Sequence, residues 1–94
     1  MSTFILLGRY SYEAIKGISA DRTSQAYDLA KKYKGNLKSI HILCGKDDVL
    51  MMAEFPGTEE VVQFSVALSR KTGIAFRTSE AIAADRFDQL MRDV

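Results

Sequence analysis

The residues best able to do chemistry are gathered in one short segment, HILCGKDDVLMMAEF, which runs from His41 to Phe55. It contains the only histidine and the only cysteine of the chain, and Asp47 and Asp48 follow closely. Imidazole, thiolate and carboxylate groups are all zinc ligands. The spacing matches no zinc motif, however, and no second cysteine or histidine completes a ligand set. We therefore expect no metal site and no cofactor, and we interpret CGKDD as a hairpin turn, for which glycine and aspartate are typical.

His41 is a candidate acid, base or ligand-binding group, because histidine alone titrates near neutral pH without perturbation. It stands in an expected strand between Ile40 and Ile42. Residues three apart on a strand point to opposite faces, so a nucleophilic pair with Cys44 is not expected. Cys44 is interpreted as a packed or turn residue. The alternative for His41, which we favour, is a hydrogen-bonded or edge histidine without a chemical role.

Three further charges fall inside expected strands: Arg9, Glu54 and Arg77. Charges at such positions usually lie at strand ends or on wet edges. Inside a barrel they could orient a small acidic or carbonyl ligand, with arginine donating two parallel hydrogen bonds. Which of them share a face with His41 depends on the hairpin register, because a shift of one residue moves every side chain to the other face.

Apolar periodicity predicts four strands and four helices. The strands are expected at Thr3 to Tyr10, Asn36 to Leu43, Val49 to Phe55 and Ile74 to Ala83. The helices are expected at 12–18, 21–34, 58–72 and 85–94. The last helix carries apolar residues at i, i+3, i+4 and i+7, namely Phe87, Leu90, Met91 and Val94. This spacing forms one apolar stripe.

Capping residues are expected at most helix ends. Ser11 is the predicted N-cap of the first helix, and either Asp21 or Thr23 that of the second. Thr58 and Asp85 are the predicted N-caps of the third and fourth helices. Gly35 and Gly73 are expected to terminate the second and third helices, with Gly35 at the C′ position.

The resulting order is βαββαβ followed by a terminal helix, in a single domain spanning 1–94. This is the split-βαβ or ferredoxin-like arrangement of the α+β class. Right-handed crossovers put both connecting helices on one face of a four-stranded antiparallel sheet.

The second face of this sheet is predicted to be unusually apolar. An open face should alternate polar with apolar residues along each strand. FILL in the first strand and VLMMA in the third are instead apolar on both faces. A patch of this kind marks an interaction site, so we expect two copies to pack face to face as a dimeric α+β barrel. The alternative is a monomer whose terminal helix folds back over the open face.

The order of motifs along most of the chain resembles the GYD-domain family. EAIKGIS followed by DRTSQAYDLAKKYKGNLKSIHIL is similar to its short helix, longer helix and strand opened by Gly-x-Leu-Lys. The later GIAFRTSEAI is similar to its Arg-Thr strand. Two positions depart from the pattern: Asp47 stands where Gly-x-Tyr-Asp has tyrosine, and Ala14 where glycine is common. The resemblance implies a dimeric α+β barrel, and it implies no particular activity because the family has no established general one.

Composition excludes several classes of partner. Lys and Arg number 13 against 12 Asp and Glu, which leaves no positive stripe for nucleic acid. No apolar run approaches the roughly 20 residues of a membrane span. The start, MSTFILLGRY, lacks the basic region of a signal peptide. With a single cysteine, this predicts a cytoplasmic protein.

Taken together, the residues predict a self-associating α+β-barrel protein that forms a homodimer or an assembly of dimers and holds a small-molecule pocket. His41 would line that pocket, with Arg9, Arg77 and Glu54 as ligand-binding residues. The alternative is a small dimeric-barrel enzyme acting on a small organic substrate, with His41 as acid or base.

Overall fold

The computed structural model describes residues 1–94 and contains four strands and four helices. In chain order these are β1 (Ser2–Tyr10), α1 (Tyr12–Lys16), α2 (Ala20–Lys32), β2 (Asn36–Ile42), β3 (Val49–Phe55), α3 (Thr58–Thr72), β4 (Ile74–Ala81) and α4 (Ala84–Met91). The strands form one antiparallel sheet in the order β2-β3-β1-β4. The βαββαβ order and the α+β class are confirmed.

The core lies between the sheet and the two crossover helices, α2 and α3. Phe55 at the end of β3 is fully buried; its ring centroid lies 5.2 Å from that of Phe64 on α3 and 6.5 Å from that of Phe4 on β1. Leu6 and Leu68 are also buried in this layer. Large aromatic side chains dominate core energetics because of their area. This cluster therefore joins the two central strands to α3.

Three of the predicted N-caps are wrong. Ser19 caps α2, and its hydroxyl accepts a hydrogen bond from the backbone of Arg22 at 3.2 Å. An N-cap requires extended backbone angles, and at the start of α3 these belong to Gly57, so Thr58 is already helical. Ala83 holds the same position before α4 and leaves Asp85 inside the helix. The prediction for Ser11 is confirmed, because its hydroxyl accepts from the backbone of Ala14 at 3.0 Å.

The end of α2 differs from the prediction by one residue. The left-handed position is occupied by Lys34, whose φ is 68°. Its N–H bonds Lys31 at 3.0 Å, and the N–H of Gly35 bonds Ala30 at 2.8 Å, which is the hydrogen-bond pattern of a Schellman motif. Glycine is needed one residue later, at position 35, because a side chain has no space there. A Cβ on Gly35 would lie 2.8 Å from the carbonyl oxygen of Glu54 and would collide with the Phe55 ring.

The terminal helix α4 lies outside the core. None of its residues is buried. It makes no extensive contact with any strand, so within this chain it does not cover the second face of the sheet. No helix of the structure has both the length and the apolar character needed to cross a membrane.

We predict opposite effects from substituting the two residues that end α2. Gly35→Ala should destabilise the fold by about 1–3 kcal/mol, because the new methyl group overpacks the Phe55 site. Lys34→Gly should be neutral or stabilising by up to about 1 kcal/mol, because glycine adopts the left-handed conformation without strain. Urea unfolding monitored by circular dichroism measures both. Equal destabilisation by the two variants would contradict this account.

Candidate functional site

The register of β2 decides where His41 points. Ile40 pairs with the buried Met51, whereas His41 pairs with Leu50. A bulge between Leu37 and Ser39 interrupts the alternation of the strand. Because neighbouring strand residues face opposite sides, His41 lies on the face without helices, which we call the open face.

His41 and Arg77 belong to one row of residues across the open face. His41 pairs with Leu50, Leu50 with Leu7, and Leu7 with Arg77. The row crosses all four strands, so His41 and Arg77 stand at opposite edges of the sheet, about 14 Å apart at a strand spacing of roughly 4.8 Å. They share a face within one chain but do not meet.

Arg9 and Glu54 also lie on the open face, at opposite ends of it. Arg9 is near the end of β1, two residues beyond Leu7, and Glu54 pairs with Thr3 at its beginning. Arg9 lies six residue steps along the strand from Thr3, a length of about 20 Å. Glu54 forms an exposed ion pair with Lys38 at 3.7 Å. The four residues singled out by sequence therefore share a face but do not form one compact site.

Arg77 has a partner within its own chain. Its Nη2 donates to both carboxylate oxygens of Asp47, at 3.1 and 2.9 Å. The Arg77 side chain is 63% exposed, whereas that of Asp47 is 12% exposed. The guanidinium is therefore open to solvent on one side, where a ligand anion could approach it, while Asp47 holds the other side.

Asp48 has an architectural role at the junction of three strands. Its carboxylate accepts a hydrogen bond from the backbone of Tyr10 at 2.8 Å. Its own N–H donates to Gly8 at 2.8 Å, and its carbonyl accepts from Leu43 at 2.9 Å. The ends of β1 and β2 and the start of β3 are therefore tied together by one residue.

The loop around these aspartates presents no shared ion site. The structure groups no three His, Cys, Asp or Glu side chains that could hold a metal ion. Cys44 is an exposed free thiol in the loop between β2 and β3. Asp47 and Asp48 are adjacent in sequence, but each has a different partner, Arg77 and Tyr10 respectively.

A small crevice between α2 and the sheet was not expected from the sequence. It has a volume of about 50 Å³, and most of its lining is apolar. Arg22 lies at its polar side, where it donates to the carbonyl of Ala14 at 2.5 Å and lies 5.5 Å from the Tyr10 ring centroid. Ligand pockets usually exceed roughly 300 Å³, so the crevice as it stands suits a water molecule or two. Arg22 precedes Ala26 by four residues, and this spacing could have placed it on the sheet-facing side.

Comparison with known proteins agrees with this architecture. The model of the GYD domain matches residues 4–91. The chain belongs to the GYD-domain family. In this GYD domain the motif aspartate is Asp48, the strand tie, while Asp47 replaces the usual tyrosine and pairs with Arg77.

One solved structure with a similar fold is the leucine response regulatory protein LrpA of Mycobacterium tuberculosis. The TM-score is 0.58 at 6% sequence identity, and the match covers 88% of this chain and 51% of that one. This GYD domain therefore spans about half the length of its structural neighbour. The likeness shows a shared fold. No curated protein matches the chain.

We predict that the adjacent aspartates differ sharply in their contribution to stability. Asp48→Ala should cost about 1.5–3 kcal/mol, because it removes a charged acceptor and leaves the N–H of Tyr10 without its partner. Asp47→Ala should cost less than about 1 kcal/mol, because it breaks only the pair with the exposed Arg77. Chemical denaturation of the two variants side by side tests this. A larger loss from Asp47→Ala would refute the assigned roles.

Proposed function

We propose that this GYD domain is a self-associating module, in which the open face of one copy packs against the open face of a second to form an α+β barrel. The observation that carries the proposal is the apolar centre of the open face. It consists of Ile5 and Leu7 of β1 with Leu50 and Met52 of β3, which pair with one another across the two central strands.

The exposure of these side chains supports an interface. Met52 is 40% exposed, and Ile5, Leu7 and Leu50 are each only partly covered. Contiguous exposed apolar patches on small soluble domains usually mark interaction sites. Only 17 of the 94 residues are buried within one copy. A domain this small is marginal in stability by itself, and burial of the open face would add apolar area to its core.

We expect the protein to be at least a dimer at micromolar concentration, as measured by light scattering coupled to size exclusion. Leu50→Asp should shift it toward the monomer of 10.5 kDa, because a carboxylate would be desolvated at the centre of the interface. Gln63→Asp places the same charge on the exposed side of α3 and should leave the assembly unchanged. A wild-type monomer would remove the proposal.

We further propose that the barrel interior holds a small acidic or carbonyl ligand, with His41 and an arginine, Arg77 or Arg9, as the binding groups. All three lie on the open face, and the side chain of Arg77 remains 63% exposed beside its partner Asp47. Face-to-face sheets stand about 10 Å apart, so a second copy would supply a further set of these side chains opposite the first. Glu54 lies at the other end of the same face, beside Lys38.

The alternative function is an enzyme that uses His41 as acid or base on a small organic substrate. It has less support, because His41 is exposed within one chain and lines none of the concave sites of the structure. The exposed thiol of Cys44 supports a reducing compartment, and we propose the cytoplasm as the location.

We expect the imidazole resonances of His41 to shift when a small carboxylate or carbonyl compound binds. Leucine belongs in the test panel because the structural neighbour is named for a response to it. Arg77→Gln should weaken binding at least severalfold, whereas Lys71→Gln, at the end of α3, should not. If a compound binds but leaves His41 unshifted, the ligand site lies elsewhere. Turnover of a bound compound, lost in His41→Gln, would instead favour the enzyme.

A further inference from the structure

The terminal helix α4 carries an apolar stripe that is half-exposed, and the helix makes no extensive contact with any other element of its chain. Phe87 is 49% exposed, Leu90 41% and Met91 43%, and none of the helix residues is buried. Its other side is polar and includes Asp85, Gln89 and Arg92. An amphipathic helix of this kind normally packs its apolar stripe against a core.

Helix propensity alone does not account for α4. It has eight residues, with no side-chain cap at Ala83. Isolated helices shorter than about 12–15 residues are marginal in water, and most helical stability in proteins comes from packing of the apolar face. The stripe of Phe87, Leu90 and Met91 is the available source of such packing, so α4 requires a surface to cover it.

That surface is not the helix's own sheet. The molecule measures 50 × 30 × 18 Å along its principal axes. The thickness of 18 Å suits a sheet with one helical layer; a helix lying on the open face would add roughly 10 Å, the usual separation of packed layers. The 50 Å axis suits a nine-residue strand, β1, of about 30 Å prolonged by a helix of about 12 Å. α4 therefore continues beyond the end of the sheet.

The size of the open face also indicates that a sheet-to-sheet contact is incomplete. Four strands at about 4.8 Å spacing, over some six residues each, present roughly 400 Å² per copy. This flat footprint is small beside the roughly 800 Å² of accessible surface that each partner of a stable specific interface buries. Each chain thus has a sheet contact that is too small for a stable dimer and a helix α4 without a partner. In a two-fold dimer the contacts are reciprocal, so what one copy's α4 contacts on the other is contacted in return by the other copy's α4.

We propose that α4 of each copy crosses to the second copy and buries its Phe87, Leu90 and Met91 stripe against that copy, at the margin of the sheet-to-sheet contact. This inference rests on the self-association proposed above. A membrane surface is a poorer occupant, because residues 84–94 contain three aspartates and two arginines. Helices that bind anionic membranes are rich in basic residues.

The test compares two neighbouring substitutions in α4 by sedimentation. Leu90→Asp places a charge in the stripe and should raise the dissociation constant of the dimer by at least about tenfold. Gln89→Asp places the same charge on the opposite side of the helix and should change it less than about twofold. Circular dichroism and the unfolding midpoint confirm that both variants remain folded.

A second measurement identifies which copy α4 contacts. Protein that carries a spin label at Gln89→Cys, in a Cys44→Ser background, is mixed with ¹⁵N-enriched wild-type protein that carries no spin label. Broadening of the ¹⁵N amide resonances is recorded after the two have equilibrated. The proposal requires broadening between copies. Broadening confined to amides of the spin-labelled chain itself, measured with ¹⁵N on that chain diluted in excess unlabelled protein, would show that α4 folds back and would overturn it.

The outcomes separate this inference from the proposed function. If Leu50→Asp dissociates the dimer and Leu90→Asp does not, the open-face module stands and the crossing helix is wrong. If the wild type is a monomer, both are wrong. Sedimentation of wild-type protein with phosphatidylserine vesicles, lost in Leu90→Asp, would assign α4 to a lipid surface and would also overturn the inference.

Discussion

Two helices packed side by side cover one face of a four-stranded sheet and leave the other bare. Here the covered face is held by Phe55, which contacts Phe4 and Phe64 and lies against the bare backbone of Gly35. All the fully buried large side chains belong to this single layer. Because the covered side uses so much of the apolar content of a short chain, the apolar residues of the open face are left to solvent or to a second molecule. The proposed assembly, the proposed ligand site and the proposed role of α4 all rest on this one-sidedness.

The loop between β2 and β3 has a structural purpose that its composition disguises. Asp48 ties three strand ends through its carboxylate and its backbone, and the neighbouring Asp47 is left free to pair with Arg77. The aspartate of the Gly-x-Tyr-Asp pattern is thus an architectural residue in this GYD domain. The motif therefore indicates the fold, whereas the candidate binding residues lie on the open face.

Much of the fold could be predicted from the sequence, because strand and helix periodicities are local properties. The strand boundaries of β3, the caps at Ser11 and Gly73 and the βαββαβ order required nothing more. The first residues of the helices were harder to predict from the sequence. Ser19 and Gly57 are the N-caps because their backbone is extended, whereas Thr23 and Thr58 are already helical. Non-local features were hidden for a different reason.

The grouping of site residues depends on such non-local features. His41 could be recognised as unusual, but its face depends on the pairing of β2 with β3. Its distance from Arg77 depends on the strand order. The crevice beside Arg22 arises only when α2 meets the sheet. No periodicity within a single element contains this information.

The bulge in β2 decides which face of the sheet each later residue of that strand occupies. Leu37 lies on the helix side, and after the extra residue Lys38 the alternation resumes with Ser39 on the open face and Ile40 on the helix side. If β2 paired without the bulge, Lys38 would face Met52 and each later residue would change face, so that Ile40 would lie on the open face and His41 on the helix side. Deleting Lys38 would remove the bulge and restore regular pairing with His41 still on the open face, so the bulge is the point at which this edge strand tolerates a change of length.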